Sequence, residues 1–335
     1  MAVMLGYDAL SGVLGMRDAI DLLERALVNE AQGRTTVSPK FVTDFESGSL
    51  RMLVAADYAA GYCATKAYNT TTGVGTRYVV SLYRIADGEL LALLDGQLIT
   101  DLRTGAASGV IARRVRIDAP VTLGLVGSGH QAAMQLEALA AVYRIESVAV
   151  YSPTERNRAA FARGMSERLG VPVTPVGTAE EAVRGRTVVA SASASRSSEP
   201  VVRGAWLEDC RLLCAVGNTR PYAAEADLDC FRDTALLVVD SEHALTEAGE
   251  LRDAVQQGVV HEGNHTTLAK IVAGSAALPA GGRVTFKSVG TALQDLALAA
   301  RYYELLGKDA RLHAEPQLAS LRRPVADKFG NGKAG

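Results

Sequence analysis

A glycine loop between an apolar run and a helical pattern constrains this chain more than any other feature. Residues 121–126 (VTLGLV) read as a buried strand, and residues 130–139 place apolar and polar side chains at helical spacing. Gly127 and Gly129 stand between the two. Glycines at this point fit either a tight turn alone or a backbone that a bulky anion approaches closely. The sequence around the loop bears on which of these two interpretations applies.

Short apolar runs alternate with helical segments from about residue 120 onward. Long apolar strands in such an alternation favour a parallel sheet with helices on both faces, which predicts an α/β fold. The candidate strands are VTLGLVG (121–127), SVAVYS (147–152), TVVASAS (187–193), LLCAVG (212–217) and ALLVVDS (235–241).

This context favours a dinucleotide site over a bare turn. Residues 127–132 read Gly-Ser-Gly-His-Gln-Ala, a G-x-G-x-x-A pattern that follows a predicted strand and opens a predicted helix. Gly127 would make the turn, and Gly129 would let a pyrophosphate reach the amides at the helix N-terminus. Ala132 would allow close packing of helix on strand, with His130 and Gln131 beside the phosphates.

The end of the next strand bears on which dinucleotide is bound. An acidic residue there accepts the ribose 2′-hydroxyl in NAD-selective sites. This chain instead has Ser152, followed by Arg156 and Arg158. A hydroxyl and guanidinium groups suit a 2′-phosphate, so the sequence favours NADP(H), with NAD(H) as the alternative if the arginines lie only on a solvated helix face.

The N-terminal part has a different texture. Residues 15–32 predict an amphipathic helix, short strand-like runs follow, and Asp87-Gly88 predicts a hairpin turn before a small-residue helix over 97–115. Lys66 lies in one strand-like run, CATKAYN. An inward lysine there would need an anion or a catalytic task, whereas an outward one would simply be solvated.

Length and charge narrow the function classes. A chain of 335 residues with 48% hydrophobic residues predicts two domains, and a net charge of −2 offers no basic surplus for nucleic acid or a membrane surface. The four cysteines lack metal-ligand spacing, and Cys210 and Cys214 are interpreted as buried thiols rather than a redox pair. With no signal peptide or membrane span in the pattern, a cytoplasmic protein without a bound metal is expected.

Eight segments, in order and over nearly the whole chain, resemble the ornithine cyclodeaminase/mu-crystallin family, which also contains alanine dehydrogenases and ketimine reductases. The segments are residues 38–52, 64–69, 90–109, 123–139, 181–207, 215–229, 238–251 and 286–297. The resemblance implies a homodimer with a substrate and dimerisation domain at residues 1–118 and 306–335. It implies a Rossmann domain at residues 119–305.

The resemblance also implies roles for individual residues. Lys66 and Arg103 match catalytic cations that hold a substrate carboxylate, and Lys66 is the candidate proton donor. Asp295 is expected either to contact such a lysine or to serve the helix end. Further substrate contacts are expected at Lys40, Arg51, Thr76 and Arg77. Further cofactor contacts are expected at Thr104, Val216, Gly217, Asn218, Thr219, Val289 and Gly290.

Two departures from the family pattern affect the predicted reaction. Cyclodeaminases carry an aspartate where this chain has Thr219, and a hydroxyl cannot take up protons near neutral pH as a carboxylate does. Arg77 stands where relatives often have histidine or an apolar residue. It could pair with a second carboxylate, as in iminosuccinate, although strand alternation opposes this if Thr76 points inward.

The sequence therefore favours an oxidoreductase that joins a 2-imino acid and NAD(P)H to give a 2-amino acid, or the reverse. Two alternatives stay open. One is a cyclodeaminase-type lyase that acts on ornithine or lysine and regenerates its cofactor in each turnover. The other is a crystallin-like protein that binds NADPH without turnover.

Overall fold

A computed structural model describes residues 2–193 and 197–307. The described residues divide into two compact units, one ending at Arg103 and resuming at Thr291, the other running from Thr104 to Gly290. The predicted limits were 118/119 and 305/306, so both divisions fall earlier in the chain. The C-terminal division moves because the last helix packs on strands of the first unit. The predicted segment beyond residue 307 lies outside the described residues.

The first unit begins with one strand and two helices. The amphipathic helix predicted over 15–32 is confirmed, since it buries Met16, Ile20, Leu23 and Leu27. The elements are β1 (Val3–Leu5), α1 (Tyr7–Leu10) and α2 (Met16–Ala31).

An antiparallel sheet, joined by one parallel strand, forms the body of the first unit. Its described strands run in the order β1-β7-β6-β5-β4-β2. Strand β3 pairs with residues 48–52 of β4, and β2 pairs with residues 55–57 of the same strand. The predicted turn is confirmed, with Gly88 at φ +73° between β6 and β7. The strands are β2 (Thr35–Val37), β3 (Phe41–Phe45), β4 (Gly48–Asp57), β5 (Tyr62–Thr71), β6 (Gly75–Arg84) and β7 (Leu90–Asp95).

Helix α3 (Gly96–Arg114) follows β7 directly and matches the predicted small-residue helix. The division between the two units falls inside it, after Arg103. Among the described residues, this helix and all others are too short or too polar to cross a bilayer.

The second unit is a sheet whose described strand pairs are all parallel, with helices in the connections. Its elements are β8 (Val121–Val126), α4 (His130–Val142), β9 (Ile145–Tyr151), α5 (Glu155–Leu169), β10 (Val173–Pro175), α6 (Ala179–Val183), β11 (Val188–Ser191), β12 (Leu212–Ala215), α7 (Asp229–Arg232), β13 (Leu236–Val239), α8 (Ala244–Glu247), α9 (Gly249–Gln256), β14 (His265–Thr267), α10 (Leu268–Val272) and β15 (Val284–Lys287).

The strand order confirms the predicted fold class. Strands β10-β9-β8-β11-β12 reproduce the doubly wound arrangement, in which strands are added on one side of β8 up to β10 and then on its other side from β11 onward. All five predicted strands are present, whereas β10, β14 and β15 were not predicted. Cys210 and Cys214 are buried free thiols whose pKa burial raises to about 12.

Helix α11 (Ala292–Leu306) closes the described chain and returns to the first unit. It packs on β4, β5, β6 and α2. Thr291 precedes it in extended conformation, and its first turn carries Asp295. This packing brings residues near position 295 against a sheet built from residues 48 to 84.

Candidate active site

Lys66 lies in the middle of β5 and is only 2% exposed. Its Nζ donates to Oδ1 of Asp295 at 2.8 Å, across 229 positions of sequence. The pairing register places Lys66 opposite Leu53 in β4 and Val80 in β6, both fully or nearly buried. Of the two orientations that the sequence allows, the structure has the inward one, and the lysine meets the requirement for an anionic partner.

Asp295 connects Lys66 to Arg103. The same Oδ1 atom lies 3.5 Å from Arg103 Nε, and Arg103 Nη1 donates to Gln294 Oε1 at 3.2 Å. Two cations thus share one carboxylate. The cluster keeps a net positive charge, which suits the binding of a further anion such as a substrate carboxylate.

Two tyrosines line the same sheet face. Tyr68 and Tyr78 are cross-strand partners with ring centroids 5.3 Å apart. Lys66 Nζ lies 5.8 Å and 5.1 Å from the two centroids, and the Arg51 guanidinium lies 6.0 Å from that of Tyr68. These are cation–π distances. Neither tyrosine was predicted from the sequence, although Tyr68 lies two positions after Lys66 and Tyr78 two positions after Thr76.

Burial lowers the pKa of Lys66 from 10.5 to about 7. The Asp295 carboxylate opposes this shift, while Arg103 and Lys40 lower the pKa further by charge repulsion. A lysine with a pKa near neutrality exchanges protons readily at physiological pH, which an ordinary lysine does not.

The remaining predicted substrate residues divide by face. Thr76 in β6 pairs with Thr70 in β5, and Thr70 lies on the same face of β5 as Lys66, so Thr76 shares that face. The hydroxyls of Thr70 and Thr76 are hydrogen-bonded at 3.1 Å. Lys40 is half-buried just before β3. Arg77 is exposed and, by strand alternation, projects from the opposite face. The structure leaves Arg77 outside the cluster of Lys66, Asp295 and Arg103, and its substrate contact stays a prediction.

In the second unit, the glycine loop has the geometry that a phosphate requires. Gly127 adopts φ +118°, where an L side chain is strained, and its Cβ would lie 2.7 Å from the Ala192 carbonyl. Gly129 caps α4 without a side-chain hydrogen bond to the first amides, so these amides face outward from the helix N-terminus. His130 and Gln131 open the helix, and Ala132 is fully buried, as close packing requires.

The end of β9 presents one hydroxyl and two arginines. Ser152 is buried and accepts a hydrogen bond from the Ser128 hydroxyl at 2.8 Å. Arg158 donates to the Ser152 carbonyl at 3.1 Å, so its guanidinium is engaged with the chain. Arg156 is exposed in the first turn of α5. Of the two arginines, Arg156 is the one whose guanidinium faces solvent.

A buried carboxylate organises the carboxyl ends of β11 and β12. Glu225 accepts hydrogen bonds from the Ser193, Gly217 and Asn218 amides at 2.8, 2.7 and 3.3 Å, and from the Ser191 hydroxyl at 2.7 Å. These bonds hold the loop of predicted cofactor residues, Val216 to Thr219. A Cβ at Gly217 would lie 2.2 Å from the Ser193 carbonyl, so this glycine serves the close approach of two loops.

A second buried carboxylate holds the loop after β15. Asp240 accepts from the Ser288 hydroxyl at 2.6 Å and from the Val289 and Gly290 amides at 3.1 and 2.7 Å. Elsewhere in this unit, the carbonyl of Thr104 accepts from Gln135. Neither Asp240 nor Glu225 was predicted from the sequence, because a lone acid in a loop has no distinctive spacing.

Comparison with known proteins gives this geometry its context. The sequence profile of the ornithine cyclodeaminase/mu-crystallin family matches residues 2–309. Alanine dehydrogenase of Archaeoglobus fulgidus is 32% identical over 312 residues, covering 90% of this chain and 94% of that protein.

Two solved structures share the fold over nearly their whole length. Thermococcus litoralis Δ1-pyrroline-2-carboxylate reductase, in complex with NADH and L-proline, has a TM-score of 0.84 and 30% identity over 90% of this chain and 96% of that one. An archaeal alanine dehydrogenase dimer with bound NAD has a TM-score of 0.84 and 27% identity over 96% and 99%.

These relatives are nicotinamide-dependent oxidoreductases of C=N and CH–NH2 bonds, and the enzyme class predicted from the sequence is confirmed. With a profile match over residues 2–309 and an alanine dehydrogenase relative at 32% identity, the chain belongs to the ornithine cyclodeaminase/mu-crystallin family.

Proposed function

We propose that this protein catalyses the NAD(P)H-dependent reduction of a 2-imino acid to a 2-amino acid, or the reverse oxidation. The buried Lys66–Asp295 pair with Arg103 beside it carries the proposal. The cluster offers cations for a carboxylate and a lysine that releases protons near neutral pH. Alanine dehydrogenase and pyrroline-2-carboxylate reductase relatives support this reaction type.

The residues of the first unit would act in the following way. Arg103, with Arg51 and Lys40, binds the substrate carboxylate and fixes the orientation of the C=N bond. Lys66 gives a proton to the substrate nitrogen, so imine plus one proton and one hydride becomes amine. In the reverse direction neutral Lys66 takes that proton back. Thr76 and the two tyrosines shape the pocket around the substrate side chain.

A bound reduced nicotinamide supplies the hydride. The open amides at the N-terminus of α4, beside Gly127 and Gly129, fit its pyrophosphate. The segments 216–219 and 289–290 and Thr104 are proposed to hold the rest of the cofactor. Ser152 and exposed Arg156 favour NADP(H) over NAD(H), because a guanidinium pairs with a 2′-phosphate.

We also propose a homodimer. Phe41, Phe45, Leu50 and Met52 are each more than 40% exposed and share one face of the β3–β4 pair. Contiguous apolar surface of this kind marks an interaction site. A second copy is the proposed partner, supported by the dimeric alanine dehydrogenase with the same fold.

The outward position of Arg77 gives no support for a second substrate carboxylate, so the proposal is for a monocarboxylic imino acid. Thr219 offers no carboxylate for cyclodeamination, and the lyase reaction becomes an outcome of the test. The purified protein is given NADPH or NADH with 2-oxo acids plus ammonia or methylamine, and with a cyclic imino acid. The control contains the 2-oxo acid without amine.

Amine-dependent loss of reduced-nicotinamide absorbance supports the proposal. Ammonia release from ornithine or lysine without net change of the cofactor would favour the lyase. Cofactor binding with neither activity would favour a protein without turnover. Either of these last two results overturns the proposed reduction.

A further inference from the structure

Asp295 has one carboxylate oxygen engaged and the other without a partner. The side chain is 1% exposed, and Oδ1 accepts from Lys66. Its Oδ2 atom is buried and has no hydrogen-bond partner within residues 2–193 and 197–307. Within the same residues, Arg103 Nε is a buried donor that makes no hydrogen bond, and its ion-pair contact with Asp295 Oδ1 is 3.5 Å long. Buried polar atoms are nearly always satisfied in folded proteins, so such atoms at one site call for a ligand.

The unsatisfied atoms have complementary chemistry. Arg103 Nε can donate to a carboxylate, and Asp295 Oδ2 can only accept. A 2-amino acid, or its iminium form, carries an acceptor carboxylate and donor N–H groups on neighbouring carbons. A 2-oxo acid offers the carboxylate, but its ketone oxygen would face Oδ2 as a second acceptor.

We propose that Asp295 is the residue that recognises the substrate nitrogen, with Oδ2 accepting an N–H of the iminium or amine while Oδ1 holds Lys66. This inference rests on the proposed function and deepens it. It assigns the selection of imino acids over 2-oxo acids to one carboxylate. It also places the substrate nitrogen and the Lys66 ammonium on the two oxygens of the same group.

The proton balance follows from this placement. The Lys66 ammonium gives its proton to the imine nitrogen, and the iminium that results gains a hydride at carbon and becomes a neutral amine. Lys66 is left neutral and regains its proton from solvent. Asp295 gives up no proton and only accepts hydrogen bonds from both nitrogens.

Asp295→Asn tests the assignment, because the amide can still accept from Lys66 and presents N–H donors in place of Oδ2. We expect the ratio of kcat/KM for an imino acid to kcat/KM for the matching 2-oxo acid to fall at least 100-fold. Glu304→Gln, on the exposed side of α11, is the matched control and should leave the ratio unchanged. An equal loss for both substrates would mean that Asp295 only positions Lys66, which overturns the proposal.

The pH profile gives a second measurement on the same variant. Lys66 is faced by Asp295 from α11, Arg103 from α3, Lys40, and Tyr68 and Tyr78 of the sheet. Because Asp295 raises the pKa of Lys66, its neutralisation should move the Lys66 limb to lower pH. An unmoved limb would contradict the contact between the two groups.

A measurement on the wild-type protein covers the case in which the variant does not fold. With reduced cofactor bound, a 2-amino acid and the carboxylic acid that has hydrogen in place of its amino group form complexes that cannot react further. Calorimetry should show the amino acid binding at least tenfold more tightly. Equal affinities would remove Asp295 from nitrogen recognition, whereas absence of any imine reduction would instead count against the proposed function.

Discussion

The depressed pKa of Lys66 predicts a pH dependence with a definite sign. In reduction the lysine must carry the proton that it donates, so kcat/KM should fall as pH rises through the pKa of about 7. The protonated fraction then drops about 50-fold between about pH 7 and pH 9, whereas an ordinary lysine would stay charged over that range. In oxidation Lys66 must be neutral to accept a proton, so kcat/KM should rise as pH increases through the same pKa and then reach a plateau.

The assay compares the wild-type protein with Lys66→Arg at each pH. Because ionisation of the substrate affects both proteins equally, it cancels in the ratio of their kcat/KM values. Arginine keeps its charge at every pH of the experiment. The ratio of wild-type to variant kcat/KM, measured with one imino acid and saturating reduced cofactor, therefore reports the lysine alone. We expect this ratio to decline by about tenfold per pH unit above about pH 8. A ratio that stays flat between pH 6 and 9 would refute the reasoning, because Lys66 would then titrate as an exposed lysine does.

Three further outcomes are expected. Lys66→Ala should lower turnover by at least about 100-fold and leave cofactor affinity within about twofold, measured by initial rates and fluorescence titration, with exposed Lys270→Ala unchanged. Arg156→Ala should raise KM for NADPH about tenfold and leave KM for NADH unaltered. Arg163→Ala, on the same helix, is the control. Equal effects of Arg156→Ala on both cofactors would contradict a 2′-phosphate contact. Phe41→Glu should convert a dimer to a monomer in sedimentation velocity, and a wild-type monomer would refute the proposed interface.

The parts of the fold that the sequence predicted are those encoded locally. The strand–glycine–helix segment at 121–139 and the amphipathic helix α2 depend on spacing within a few residues, and both are present as predicted. Strand β15 was missed, and it inserts between β12 and β13, against chain order. Pairing order of this kind depends on tertiary packing that no local pattern contains.

The candidate active site likewise combines features that local sequence predicts with features that depend on tertiary packing. Spacing alone favoured a solvated strand face for Lys66, and the resemblance to a family was needed to favour the inward orientation. Its partner Asp295 lies 229 positions away, so only the packing of α11 on the sheet brings them together. The alternation of β6 predicted correctly that Thr76 and Arg77 take opposite sides, whereas the substrate contact suggested for Arg77 stays a prediction.

Strand β4 presents alternate residues to the two sites proposed above. Ser49, Arg51 and Leu53 point to the lysine side, whereas Leu50 and Met52 point to the exposed apolar side. Substitutions at odd and even positions should therefore evolve independently, one set tuning chemistry and the other association. An insertion or deletion of a single residue in this strand would exchange the two sets at once. Natural variation here should consequently consist of replacements, with length changes confined to the adjoining turns.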